Sequence, residues 1–298
     1  MSPAHDGQPP EPHDLWSAWN LDPLLLVGLV LAVWAYQRGR RNHRPRVGDG
    51  WRAACYFGAI TVLGVALVSP LDALSSALAS AHMVQHVLLV LVAAPLLALS
   101  APAPVLLRAG PPALRSSVAG WRRRLRVTRR TLGFVRSPAA AWLLHVVVLW
   151  FWHAAGPYDA ALRNEPLHIV EHTSFLVTGV LFWGVVIGSR AAGRVWNGLG
   201  VLLVFAMGMQ STFLSVLLVF APTPWYSGYA ETTRPWNLEP LADQQLAGAI
   251  MWVPAGAVYL AAGVALMMGW IKSSEQDADG GARLVGRAPV ASPSGPGR

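Results

Sequence analysis

Of 298 residues, 54% are hydrophobic and only 13% are charged. That is too apolar for a soluble globular domain, which carries nearer a quarter charged residues. The net charge of +8 comes with no nucleic-acid-binding motif, so the basic residues point to anionic membrane lipid rather than to nucleic acid. The single cysteine, Cys55, excludes an internal disulfide and reads as a small buried hydrophobe.

The chain opens on residues 1–19, acidic and Pro-rich, without the positive n-region of a secretory signal peptide. This segment is expected to be disordered and extracytoplasmic. Seven apolar runs follow, over residues 20–37, 53–69, 77–99, 138–153, 167–187, 195–220 and 246–271. Each approaches the ~20 residues that a ~30 Å hydrocarbon layer requires. The first is the weakest, with Asp22 at its outer end and Trp16, Trp19, Trp34 and Tyr36 as interfacial anchors. The expected architecture is an all-α polytopic membrane bundle of seven transmembrane helices over residues 20–271. A Ser/Pro/Gly-rich tail, 272–298, is expected to be disordered and cytoplasmic.

Charge gives the orientation. With the N-terminus outside, 21 of the 23 basic residues fall in inner segments, and only Arg163 and Arg234 lie outside. By the positive-inside rule the N-terminus faces out and the C-terminus faces the cytoplasm. The long inner loop interleaves Arg115, Arg122, Arg123, Arg126, Arg129 and Arg130 with apolar residues at helical spacing over 114–132, which predicts an amphipathic surface helix.

Six histidines then acquire a depth. His82 and His86 head the third run, and His168 and His172 head the fifth, each pair four residues apart and so on one helix face. His153 ends the fourth run, and His145 lies about 12 Å deeper. All fall in the outer half or near the middle of the bilayer. Buried imidazole needs a partner for each ring nitrogen, and a shared metal supplies one for many. Imidazole suits Zn, Cu and Fe, while thioether sulfur favours Cu(I). Met83 and Met251, with Met207 and Met209 near mid-span, are candidate soft ligands, so the expected cofactor is copper. Asp72, Glu171 and Asp243 are candidates to orient the imidazoles from behind.

Residues 168–172 also fit H-x-x-E-H, an inverted zinc-protease motif. At the head of a membrane span, without a soluble cleft or a distant acidic ligand, it does not indicate a protease, and no catalytic residues are expected.

Four ordered stretches resemble a known family. They are H-M-V-Q-H-V-L-L with A-A-P-L-L-A-L-S-A-P (82–89, 93–102), W-F-W-H-A-A-G-P-Y-D-A-A-L (150–162), P-L-H-I-V-E-H-T-S-F-L (166–176) and D-Q-Q-L-A-G-A-I-M-W-V-P (243–254). Together they are similar to the multi-spanning CtaG family of bacterial cytochrome c oxidase assembly factors. The resemblance runs from about residue 24 to 271. It implies a seven-span plasma-membrane protein that helps form active oxidase, with oxidase subunits as partners, by handling copper. The family's histidines map to His82, His86, His153, His168 and His172; His145 is added from depth alone. The family's Pro two residues after the fourth-run His is Ala155 here, with Pro157 displaced by two.

Two other readings use the same residues. A membrane cytochrome would ligate haem between helices, through pairs such as His86 and His172. A copper or proton transporter would need polar residues continuing into the inner half, where only Gln210 and scattered Ser and Thr occur.

Overall fold

The computed structural model describes residues 9–42, 47–111, 113, 115–117, 120, 137–191 and 194–285. Every regular element among them is helical. The helices are α1 (Pro23–Arg41), α2 (Asp49–Leu67), α3 (Pro70–Ala77), α4 (Ala79–Val87), α5 (Ala94–Ser100), α6 (Ala103–Ala109), α7 (Pro138–His153), α8 (Ala155–Arg163), α9 (Glu165–Ala191), α10 (Arg194–Val219) and α11 (Pro240–Val285). The expected amphipathic helix over 114–132 lies mostly outside the described residues.

The helix starts are written in the sequence. Pro occupies the first turn of α1, α3 and α7, where its missing N–H costs nothing. The residue before each accepts from the first orphan amides: Asp22 from Leu24 and Leu25, Ser69 from Leu71, and Ser137 from Ala140. α9 is capped by Asn164, which accepts from the Leu167 amide.

Five helical stretches are long and apolar enough to cross a membrane: Asp49–Leu67, Ala79–Ser100, Glu165–Gly188, Gly198–Val219 and Pro240–Lys272. A sixth arises if α7 and α8, bent by 73° at Ala154, count as one. The expected first span forms α1 but does not join them, because Arg38, Arg40 and Arg41 occupy its last turn and leave its apolar part short. α11 continues as helix past residue 271 to Val285, where a disordered tail was expected; no Pro interrupts that stretch. At the other end, residues 15–17 form a short 3-10 turn and the Pro10 carbonyl accepts from the Trp236 indole.

The stretch from α4 to α5 is the axis of the bundle, with α2, α9 and α11 packed around it. α10 lies along α11. α1 sits at the edge and touches mainly α6, where a Cβ on Gly39 would fall 2.0 Å from the Val105 carbonyl oxygen. That close approach is open only to glycine. Between α4 and α5 the chain widens into a π-helical turn, Leu88–Ala93. Pro95, in the first turn of α5, has no N–H and its ring crowds the carbonyl a turn earlier, so a wider turn is favoured. The Val90 carbonyl in this turn accepts from the Trp183 indole at 2.9 Å, which locks α9 against the axis.

Large apolar side chains such as Leu24, Val27, Val30, Phe205, Phe213, Val253 and Leu260 are exposed on the outside of the bundle. Many of the buried polar residues, among them Ser75, Ser80, His82, Asp159, Glu171, Thr233 and Asp243, gather at the end that carries α3, α8 and the 221–239 connection. Arg38, Arg40, Arg41, Arg52 and Arg108 mark the opposite end.

Candidate metal centre

α4 starts at a defined point. Leu78 is extended, and the buried Asp243 carboxylate from α11 caps the helix, accepting from the Ala79 amide (2.6 Å), the Ser80 amide (3.2 Å) and the Ser80 hydroxyl (2.5 Å). An anion at a helix N-terminus is stabilised by the free amides and the helix dipole. The cap fixes the axial position of His82 and His86. On α9, His168, Glu171 and His172 follow at spacings of three and four, which puts them on one face toward α4.

The two faces meet closely. His82 Nε2 lies 2.9 Å from His86 Nε2, and Glu171 reaches both, with Oε2 3.6 Å from His82 Nε2 and Oε1 3.5 Å from His86 Nε2. His172 completes a group of four whose ligand atoms all lie within 4.8 Å of one another, every member buried. The His168 ring stands 4.2 Å from that of His172 and 5.2 Å from that of His82, half-buried at the rim. The His153 ring is 5.7 Å from His86.

The surrounding hydrogen bonds fix the tautomers. Tyr229 donates to the Ser75 carbonyl at 2.8 Å, so its oxygen accepts from His82 Nδ1 at 3.2 Å. His82 Nε2 therefore carries a lone pair. His153 donates Nδ1–H to the Leu149 carbonyl at 2.8 Å, and its Nε2 has no partner. Thr178 gives its proton to the Ser174 carbonyl and so accepts from His145 Nδ1 at 2.9 Å, leaving His145 Nε2 free. In each case a fixed acceptor orients the ring and exposes the other nitrogen, the arrangement that holds metal-binding imidazoles.

Among the described residues, nine buried side-chain polar atoms lack a hydrogen-bond partner, and seven belong to these histidines and Glu171. Such an atom costs about 1–3 kcal/mol if nothing binds it. Five of the seven belong to His86, His168, Glu171 and His172, a concentration that fits a site built for a ligand. The spacing fits an ion as well. Two ligand atoms each about 2.05 Å from one metal are about 2.9 Å apart at a right angle and about 3.3 Å apart at the tetrahedral angle. The His82–His86 contact of 2.9 Å sits at the lower figure, and the Glu171 contacts of 3.5 and 3.6 Å lie slightly above the upper one. His82, His86, Glu171 and His172 can therefore hold one cation, with His168 beside them at the opening.

The 221–239 connection closes over the group. Tyr226 stacks on Tyr158 at 3.8 Å and donates to the His153 carbonyl at 3.1 Å. Asp159 of α8 accepts from the Ser227 amide and hydroxyl and the Gly228 amide, pinning this segment down. The Tyr158 hydroxyl meets that of Tyr229 at 3.3 Å. α8 begins at Ala155, with Pro157 in its first turn, so the displaced proline is accommodated.

Several expected residues lie elsewhere. Asp72 touches no imidazole; it accepts from Gln85 at 2.9 Å and from Asn20 at 2.7 Å. Asp243 caps α4 instead of meeting a ring. Glu171 is a member of the central group itself. His145, Met83 and Met251 line a separate cavity of about 40 Å³ with His86 and His153. Met207 lines it too, whereas Met209 is exposed. The tyrosines Tyr158, Tyr226 and Tyr229 escaped sequence reasoning, since a tyrosine in an outer loop reads equally well as an interfacial anchor.

The model of the cytochrome c oxidase caa3 assembly factor family matches residues 30–273. The chain belongs to that family. Uncharacterised proteins of Mycobacterium bovis and Mycobacterium tuberculosis are each 28% identical to it over 282 residues, 90% of this chain. One of Mycobacterium leprae is 26% identical over the same length. The chain spans 42% of the length of these relatives. No solved structure matches it. His82, His86, His145, His153, Glu171 and His172 all fall within the part matched by the family.

Proposed function

We propose that this protein binds copper at His82, His86, Glu171 and His172 and supplies it to cytochrome c oxidase during assembly. The observation that carries the reading is the four-residue group itself, whose ligand atoms lie within 4.8 Å and whose Glu171 and His172 atoms are unpartnered. Membership of an oxidase assembly family supports the recipient. One carboxylate among neutral imidazoles would leave Cu(I) electrically neutral, the least costly charge state for a buried ion. Half-buried His168 at the rim gives the ion a way in and out, as delivery requires.

In this reading the protein sits in the bacterial plasma membrane with seven spans. α1 is the first, anchored at its ends by aromatic and arginine side chains, and the α7–α8 pair is the fourth. The N-terminus faces out, so the copper group lies under the outer surface. The arginine-rich end meets anionic lipid on the inner leaflet.

Two features weigh against the rival readings. Ligand atoms already within 4.8 Å of one another leave no gap for a porphyrin between His86 and His172. Behind the cavity wall, Phe182 stacks on His145 at 5.7 Å and Trp183 on Tyr259 at 5.9 Å, so two aromatic side chains back the cavity where a transport path would need further donors.

The test replaces His82 and His86, or Glu171 and His172, by Ala and measures bound copper, oxidase activity and protein abundance in the membrane. Lost copper and lost oxidase activity at near-normal abundance are expected. Full copper occupancy in both double variants would overturn the reading.

A further inference from the structure

The cavity on the inner side of the His/Glu group has a donor set of its own. Met83 of α4, Met207 of α10 and Met251 of α11 come from three helices and line the same space of about 40 Å³. All three are buried, at 1%, 1% and 5% exposure. Three thioethers on one void are more than gap-filling requires, and sulfur is the donor that separates Cu(I) from harder ions. The same wall carries His145 and His153, each with Nδ1–H held by an acceptor and Nε2 without a partner. Two orphaned lone pairs in an otherwise apolar cavity are costly unless something binds them. A space of this size exceeds the roughly 10–15 Å³ that a single water needs, so one ion fits with little rearrangement.

We propose that this cavity is a second metal position, selective for Cu(I), in which Met83, Met207 and Met251 act with Nε2 of His153 or His145. His86 joins the two positions. Its Nε2 meets His82 in the first group, its ring lines the cavity, and its Nδ1 is unpartnered. An ion can thus pass from the nitrogen- and oxygen-lined group to the sulfur-lined cavity without leaving imidazole. The first group then serves for capture near the surface and the second for retention deeper in the bundle. The inference rests on the copper reading only for the identity of the arriving ion; the donor set stands without it.

The test uses the full-length chain purified in detergent, titrated without oxygen with Cu(I) and, as a redox-inert analogue, Ag(I). Two equivalents are expected, and X-ray absorption at the copper edge should show sulfur neighbours. Replacing Met83, Met207 and Met251 together by Leu, which keeps volume, should remove one equivalent and the sulfur signal while the other equivalent remains. Protein grown with selenomethionine keeps the native fold and should show copper next to selenium, which guards against a misfolded triple variant. Copper with nitrogen and oxygen neighbours only, or two equivalents surviving in the triple variant, overturns the second position. The outcomes separate the two proposals. A natural chain without a sulfur signal but with intact binding at His82, His86, Glu171 and His172 sinks this inference alone. A persisting sulfur site in protein lacking the His82 and His86 side chains, with oxidase activity unaffected, sinks the delivery reading alone.

Discussion

The Tyr229 hydroxyl lies 3.2 Å from Nδ1 of His82 and gives its own proton to the Ser75 carbonyl. Because that proton is committed, the tyrosine acts on His82 only as an acceptor, and His82 Nε2 is left as a base for a cation. The 221–239 connection, distant in sequence from α4, thereby sets the tautomer of a residue at the centre of the group.

Tyr229→Phe tests this coupling. The phenyl ring fills the same space but frees His82 Nδ1 and lets the ring turn or change tautomer. Copper affinity is expected to fall about 10–100-fold, the usual effect of losing an orienting partner behind a metal ligand. Tyr226→Phe is the comparison, since Tyr226 donates to the His153 carbonyl and touches no ring nitrogen. It should lower thermal stability by about 1 kcal/mol with affinity unchanged. Equal affinities in the two variants, by competition titration, would show that the hydroxyl of Tyr229 orients nothing.

Glu171→Gln removes a charge while keeping the side-chain volume. The carboxylate bridges His82 and His86 at 3.6 and 3.5 Å, so it supplies both a donor and the countercharge for a buried cation. Affinity for copper is expected to drop by about 10–100-fold, and Glu171→Asp should restore part of it. The fold should tolerate both changes, because Glu171 makes no hydrogen bond through its carboxylate. An unchanged dissociation constant for Glu171→Gln would move the carboxylate out of the coordination sphere.

What the sequence disclosed follows from periodicity. Apolar runs placed the helices, and four-residue spacing placed His82 with His86 and His168 with His172 on shared faces. The same rule applied to His168, Glu171 and His172 puts the glutamate on the ligand face. Other features were not legible because they depend on tertiary contact. The α4 cap comes from Asp243, more than 160 positions away in sequence. The 73° bend at Ala154 places α8 across the end of α7, and nothing in the residue pattern sets that angle. The π turn was half legible: Pro95 announces a disturbed helix, but the Trp183 indole that satisfies the Val90 carbonyl comes from α9.

Asp72 gives the chain a pH-dependent joint outside the spans. Burial holds its carboxyl above the ordinary 3.8, opposed by hydrogen bonds from Gln85 and Asn20, while Glu165 adds a smaller push upward. A raised folded value means that the native state binds more protons than the unfolded one in that interval. The carboxyl's contribution to stability is therefore full below 3.8 and is lost as pH rises through its folded value. In Asp72→Asn this contribution is absent. The stability of the natural chain relative to Asp72→Asn should fall as pH is raised from about 4 to about 8, read by thermal melting in detergent. A difference that stays flat over that interval would mean that Asp72 ionises as freely as a solvated carboxylate.

Asp243 is the junction on which the position of His82 and His86 depends. Its carboxylate satisfies two amides at the start of α4 and the Ser80 hydroxyl while fully buried. Asp243→Ala leaves those donors without an acceptor and removes the anion from the helix N-terminus. A lost N-cap costs about 1–2 kcal/mol, and burial of the freed donors raises that figure toward about 3 kcal/mol. Lower abundance in the membrane and a lower melting temperature are expected. Copper affinity should also fall, because the first turn of α4 frays and His82 lies in its second. Asp243→Asn presents one acceptor oxygen and should fall between the natural chain and Asp243→Ala on both measurements. If Asp243→Ala melted like the natural chain but failed to bind copper, the carboxylate would be acting on the metal and not on the helix.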